Sequence, residues 1–188
     1  MMIQARRAHL VQDRTVVNPH LRTDTLGAAK SPRPRTTEPQ FAVAAVVAQV
    51  ALLAAQALLN RRHDWPTPAA VTLAAGTVAA GGAVVLAAAG SSLGRGLTAS
   101  PMPNAHAVLR TDGLYRHVRH PIYTGVITVS WARTLASGDR RQAALSAALV
   151  LLFYVKSSVE ERALSRRFSD YESYAACTPR FVPRVGHR

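Results

Sequence analysis

Two long runs without a single charged side chain constrain this sequence more than any other feature. The first, residues 41–59, reads FAVAAVVAQVALLAAQALL, with Gln49 and Gln56 as its only polar interruptions. At about 1.5 Å per residue a helix of this length spans roughly 28 Å, close to the hydrocarbon thickness of a bilayer. The second run, residues 69–90, is also uncharged and carries Gly76, Gly81 and Gly82 among many alanines. Small residues let helix backbones approach closely in lipid, so the two runs are expected to pack as a transmembrane hairpin. Gln49 and Gln56 lie seven residues apart, hence on one helix face, and predict an interhelical contact. Ala55-Gln-Ala57 has the form of a signal-peptidase site, but a leader of some 40 residues is too long, and an uncleaved helix is expected.

Charge is segregated from these runs rather than interleaved with them. The 188 residues include 23 Lys and Arg against 10 Asp and Glu, a net charge of +13. Such basicity fits nucleic acid or a positively charged cytoplasmic membrane face. The apolar runs need lipid in either case, so membrane lipids are the expected partner and nucleic acid is not. Residues 1–40 carry Arg6, Arg7, Arg14, Arg22, Lys30, Arg33 and Arg35 but no apolar stretch, and are expected to form a disordered basic tail. Arg6-Arg7 stands too far from the first apolar run for a twin-arginine signal. Cys177 is the only cysteine, so no intrachain disulfide can form, and without a base at fixed spacing it reads as an ordinary side chain.

Residues 60–66 form a short polar turn with Trp65 where an interfacial aromatic would sit. Residues 91–120 differ in kind, with Gly, Pro, Arg and His throughout; thirty residues of loop in a compact chain point to binding. Pro121 then opens a third apolar segment, nearer 15 residues than 20, for which tilt or snorkelling of Arg133 is expected. Ser137-Gly-Asp139 predicts a tight turn, and a fourth helix runs from about Arg141 past the membrane to Arg167. Four spans would gather 18 of the 23 Lys and Arg on one side, which the positive-inside rule assigns to the cytoplasm together with both termini. The expected location is the cell (inner) membrane.

An antiparallel pairing of the third and fourth helices brings His120 to the same face as Glu160 and Glu161. Arg119, His120 and the free amides of a helix N-terminus make an anion-attracting corner. The two carboxylates accept hydrogen bonds from an ammonium group or from ribose hydroxyls, so a zwitterionic, hydroxyl-bearing ligand suits the arrangement. Taken singly, the basic residues could hold lipid headgroups, and Tyr115 and Tyr123 could be interfacial anchors. No close His pair at ligand spacing is present, and no metal is expected.

In combination, His106-Ala-Val-Leu109, Gly113-Leu-Tyr115, Arg119-His-Pro-Ile-Tyr-Thr-Gly125, Glu160-Glu161, Phe168, Tyr171, Tyr174 and Arg180-Phe-Val-Pro-Arg184 resemble the membrane-embedded isoprenylcysteine carboxyl methyltransferase and phospholipid N-methyltransferase families. The resemblance covers residues 90–184; where the family often has Phe-Gly, this chain has Phe168-Ser169. It implies binding of S-adenosylmethionine at the cytoplasmic face, outside the nucleotide-binding fold of soluble methyltransferases. By similarity, His120, Pro121, Tyr123 and Gly125 would shape the methionine and sulfonium region, and Glu160 and Glu161 would hold polar groups of the cofactor. The loop from His106 through Val108, Leu109 and Gly113 to Tyr115, with the C-terminal tail, would enclose the adenosyl part. The methyl acceptor would be a lipidic, hydrophobic or prenylated molecule. Arg119 or Arg180 would orient a carboxylate acceptor, and Glu161 would take the proton of an amine.

The fold expected is thus an all-α integral membrane protein of about four transmembrane helices. Residues 1–40 form the tail, 41–90 a hairpin, and 91–188 a core whose cofactor site lies between the 91–120 loop, the third and fourth helices and the C-terminal tail. Two other readings remain open: an NADPH-dependent membrane reductase of steroid-reductase type, and a non-catalytic protein binding lipid or a partner.

Overall fold

The computed structural model describes residues 37–59 and 62–184; the basic tail expected over residues 1–40 lies almost wholly outside them. Among the described residues five α-helices follow in order: α1 (Thr37–Leu58), α2 (Ala69–Leu93), α3 (Pro121–Ser137), α4 (Arg140–Arg167) and α5 (Tyr171–Cys177). Two short 3-10 turns, Gly94–Gly96 and Gly113–Arg116, punctuate the segment between α2 and α3. No strand occurs among the described residues. Among the described residues three helices, α1, α2 and α4, are long and apolar enough to cross a membrane. At 17 residues α3 is shorter than these, about 26 Å at the α-helical rise. Four spans with a short third one are expected from the sequence; the described residues hold three full-length apolar helices and this shorter companion.

Local chemistry sets the ends of the helices that carry the site. Pro121 occupies the first turn of α3, where its missing N–H is not needed, and as the residue before proline His120 adopts a non-helical backbone. Gly138 closes α3 in the left-handed conformation, φ 62°, with its N–H donating to Thr134 O. Asp139 then caps α4, its carboxylate accepting from Arg141 N at 2.8 Å and from Arg62 N at 3.2 Å. A side chain at Gly138 would stand 2.6 Å from Trp65 O, so the α1–α2 connection lies directly on the α3–α4 turn. Trp65 N donates to Gly138 O and Asp64 accepts from Arg140 N, which completes the staple at this end of the bundle.

The packing partners correct one expectation. α1 and α2 were expected to pack as a hairpin, but α1 lies against α4, and α2 lies along α3. The reason is visible in the side chains. Gly82 of α2 meets Gly125 of α3 so closely that a Cβ on Gly125 would be 2.7 Å from Gly82 O, whereas Gly76 and Gly81 face open space. On α1 the two glutamines reach other helices. Ser130 Oγ donates to Gln56 Oε1 at 2.6 Å, Gln142 Nε2 donates to Gln56 O at 2.9 Å, and Gln49 accepts from Lys156. Ser146 adds contacts to Thr134 and Ser130, so a buried polar seam joins α1, α3 and α4. The seam satisfies polar groups that lipid could not, and it explains why α1 chooses α4.

Candidate functional site

The site forms where α3 begins and α4 nears its end. Backbone pairing draws the C-terminal tail onto this corner: Arg119 N donates to Pro179 O at 2.9 Å, His120 N to Arg180 O at 3.1 Å, and Thr124 Oγ1 to Phe181 O at 2.8 Å. His120 is 6% exposed and stacks on Tyr123, whose ring in turn stacks on Phe153 at 4.5 Å between centroids. Its Nε2 lies 3.0 Å from Glu161 Oε1; a carboxylate only accepts, so this nitrogen carries the proton. Tyr123 Oη donates to Glu160 Oε2 at 2.9 Å.

The adjacent carboxylates have different surroundings. Glu161 accepts two bonds from the Arg180 guanidinium, at 3.0 and 2.6 Å, and lies 3.1 Å from Arg119 Nε as well as against His120. It is therefore the hub that ties tail, α3 and α4 together. Arg180 is completed by Ser158 and by the ring of Tyr154, and Arg119 donates to Ala175 O. Glu160 instead faces a cavity of about 350 Å³, within the range of small-molecule sites.

Of the residues expected at the site, the loop supplies Val108, Leu109 and Tyr115 to the cavity wall, and the start of α3 supplies Arg119, His120, Pro121 and Tyr123, with Glu160 from α4. Five others stand elsewhere. Glu161 and Arg180 lie behind the wall in the ion-pair hub. Gly125 is at the α2–α3 crossing, where only glycine fits. Gly113, with φ 55°, opens the 3-10 turn that turns Tyr115 inward. His106 is exposed, and its carbonyl lies so near Gly96 that a side chain there would approach it to 3.3 Å. Tyr115 and Tyr123, which could have been interfacial anchors, both turn into the cavity.

Tyr171 and Tyr174 of α5 complete the wall. Tyr174 Oη donates to Tyr115 O at 2.6 Å, while Tyr171 Oη is buried with no hydrogen-bond partner. Burial pushes the hydroxyls of Tyr115, Tyr171 and Tyr174 up, Tyr174 to about 12, so all three are neutral near pH 7 and serve as hydrogen-bonding groups, not bases. Leu164 and Lys156 escaped the sequence reading. Both stand one turn from Glu160, and the i, i+4 spacing was the available signal. Lys156 is one of the 18 Lys and Arg that the charge count assigns to the cytoplasmic side, yet it is wholly buried. No cluster of three or more His, Cys, Asp or Glu suited to a metal ion occurs among the described residues.

A comparison with curated proteins finds no match to the chain. A family model described as phospholipid methyltransferase matches residues 70–171. That stretch holds α2, the loop, α3 and α4, and so most of the cavity wall and the carboxylate it presents. Since it also spans more than half of the sequence, the chain belongs to the phospholipid methyltransferase family.

Proposed function

We propose that this protein transfers a methyl group from S-adenosylmethionine to a lipidic or membrane-partitioned acceptor, at the cytoplasmic face of the membrane. The observation that carries the reading is the cavity at the α3–α4 corner, where one carboxylate, two arginines and four tyrosines converge beside apolar walls. The residues suit the cofactor's chemistry. Tyr171 Oη is a buried hydroxyl awaiting a partner. Glu160 would accept from an ammonium or ribose hydroxyl, Arg119 would face a carboxylate, and tyrosine rings favour a cation such as a sulfonium.

The bound cofactor would supply an electrophilic methyl group. Little acid–base work is then needed, and the protein's part is positioning and exclusion of water. Leu93, Ile122 and Leu164 give the cavity its apolar walls. For an amine acceptor, Glu160 is the carboxylate that would take the proton, since Glu161 is already engaged by Arg180, Arg119 and His120. For a carboxylate acceptor, orientation would fall to Arg119 or Arg110 on the cavity wall, because Arg180 is held behind it. The cytoplasmic assignment rests on the asymmetry of Lys and Arg, which survives removal of the buried Lys156 from the count.

The test is to incubate membranes containing the protein with methyl-labelled S-adenosylmethionine and to extract the lipids. Label should enter a lipid-extractable species with wild type and fall at least tenfold with Glu160→Gln. Purified protein that binds NADPH but neither S-adenosylmethionine nor S-adenosylhomocysteine would falsify the reading.

A further inference from the structure

The first span, α1, contributes no side chain to the cavity and lies outside the region that matches the family. It nevertheless reaches the site through one residue. Lys156 is 0% exposed, on the face of α4 that also buries Leu149 and Phe153. An ionisable side chain within a span is costly unless its donors are satisfied, and it marks function by default. Here Nζ donates to Gln49 Oε1 of α1 and, at 2.8 Å, to the carbonyl of Ala99. Among the described residues no carboxylate comes within ion-pair distance of it.

The two acceptors belong to parts of the molecule that touch the site differently. Ala99 sits between Thr98 and Ser100, both on the cavity wall. Lys156 Nζ also lies 5.5 Å from the centroid of the Tyr123 ring, whose hydroxyl holds Glu160. A single ammonium therefore backs two sections of the wall, the 98–103 segment and Tyr123, and anchors both to α1.

We propose that Lys156 is a positioning residue that, with Gln49, forms a strut between α1 and the cavity, so that the placement of α1 sets the order of the 98–103 wall. Without the strut this wall is populated in its binding form only part of the time, and ligand affinity falls in proportion to that fraction. The chemical step of bound molecules is untouched.

The experiment compares wild type, Gln49→Leu and Lys156→Met in lipid nanodiscs by amide hydrogen exchange and by titration with S-adenosylhomocysteine. The titration rests on the methyltransferase reading; the exchange comparison does not. In Gln49→Leu, exchange of the amides over residues 97–104 should rise about tenfold, the size expected for loss of one charge-assisted hydrogen bond, with α3 and α4 unchanged. Affinity should fall about as much, with KM raised and kcat within twofold of wild type. Lys156→Met should repeat the pattern more strongly, and Lys156→Arg should restore part of it. Unchanged exchange over 97–104 in Gln49→Leu overturns the proposal, as does a rise spread evenly over all helices. If Lys156→Met does not fold, Gln49→Leu alone decides. If wild type binds no S-adenosylhomocysteine, the methyltransferase reading fails, and the exchange data still settle the strut.

Discussion

The α2–α3 crossing offers a comparison in which three glycines of one protein should respond in opposite directions to the same substitution. A Cβ at Gly81 would meet nothing within 4 Å. Gly81→Ala therefore gains only helix propensity, a few tenths to about 1 kcal/mol. At Gly82 the new methyl would lie 3.0 Å from Gly125 O and 3.1 Å from the Thr128 side chain. At Gly125 it would lie 2.7 Å from Gly82 O and 3.0 Å from both Leu86 N and Leu86 Cβ. Those neighbours are largely backbone and cannot rotate away, so the helices must separate by several tenths of an ångström. Overpacking of this kind costs about 1–3 kcal/mol, which outweighs the propensity gain. Both variants gain the same propensity, so Gly125→Ala should be less stable than Gly81→Ala by roughly 1–3 kcal/mol, with Gly82→Ala between them. Thermal midpoints of the purified variants in one detergent give the order. Because α2 ends at the cavity and α3 begins there, Gly125→Ala should also weaken S-adenosylhomocysteine binding, and Gly81→Ala should not. Equal midpoints for Gly81→Ala and Gly125→Ala would refute the argument that this crossing, and not a ligand, requires glycine at position 125.

Three further outcomes are expected. Tyr171→Phe removes a buried hydroxyl that has no partner in the protein, so the thermal midpoint should hold or rise while S-adenosylhomocysteine affinity drops about 5–20-fold; a loss of stability with affinity intact would contradict the role given to Tyr171. Glu161→Gln breaks a hub of two arginines and a histidine at a carboxylate whose side chain is 14% exposed, and should cost about 3 kcal/mol, with amide exchange rising first over residues 178–182. The Arg141 side chain, with help from backbone amides, holds the Asp139 carboxyl well below the usual range. A depressed carboxylate stabilises the fold above its unfolded pKa of about 4 and loses that contribution as pH falls below it, so the wild-type midpoint should drop between pH 5 and 3 and Asp139→Asn should flatten that part of the curve.

The sequence shows the helices plainly because nothing but a membrane span explains residues 41–59 and 69–90, and because Pro121 and the Gly138-Asp139 pair mark ends with known chemistry. It also shows the corner where His120 meets Glu160 and Glu161, since an antiparallel α3–α4 pair admits no other placement. Which helix packs on which was not legible. Glycines at 76, 81 and 82 look alike in a string, and only the partner's Gly125 distinguishes the second from the third. Nor could the sequence divide the labour of the neighbouring carboxylates. Residues 160 and 161 point about 100° apart on a helix, and which one meets the arginines depends on where a tail twenty residues later returns. Lys156 was misjudged for a related reason: a cation at the end of an apolar run is ordinarily solvated, and its inward turn follows from the acceptors Gln49 and Ala99, which are distant in sequence.

The polar seam also bears on how the chain is made. The Gln56 carboxamide is completed only by Ser146, 90 residues later, although Ser130 reaches its oxygen after 74, and Gln49 waits for Lys156, 107 residues later. At ribosomal rates of about 5–20 residues per second, α1 resides in the bilayer for roughly 5–20 s before its partner is synthesised. During that interval two carboxamides face acyl chains or the insertion machinery. Nascent molecules halted before position 146 should therefore be the ones that quality-control proteases recognise, and α1 is the segment by which they would be found.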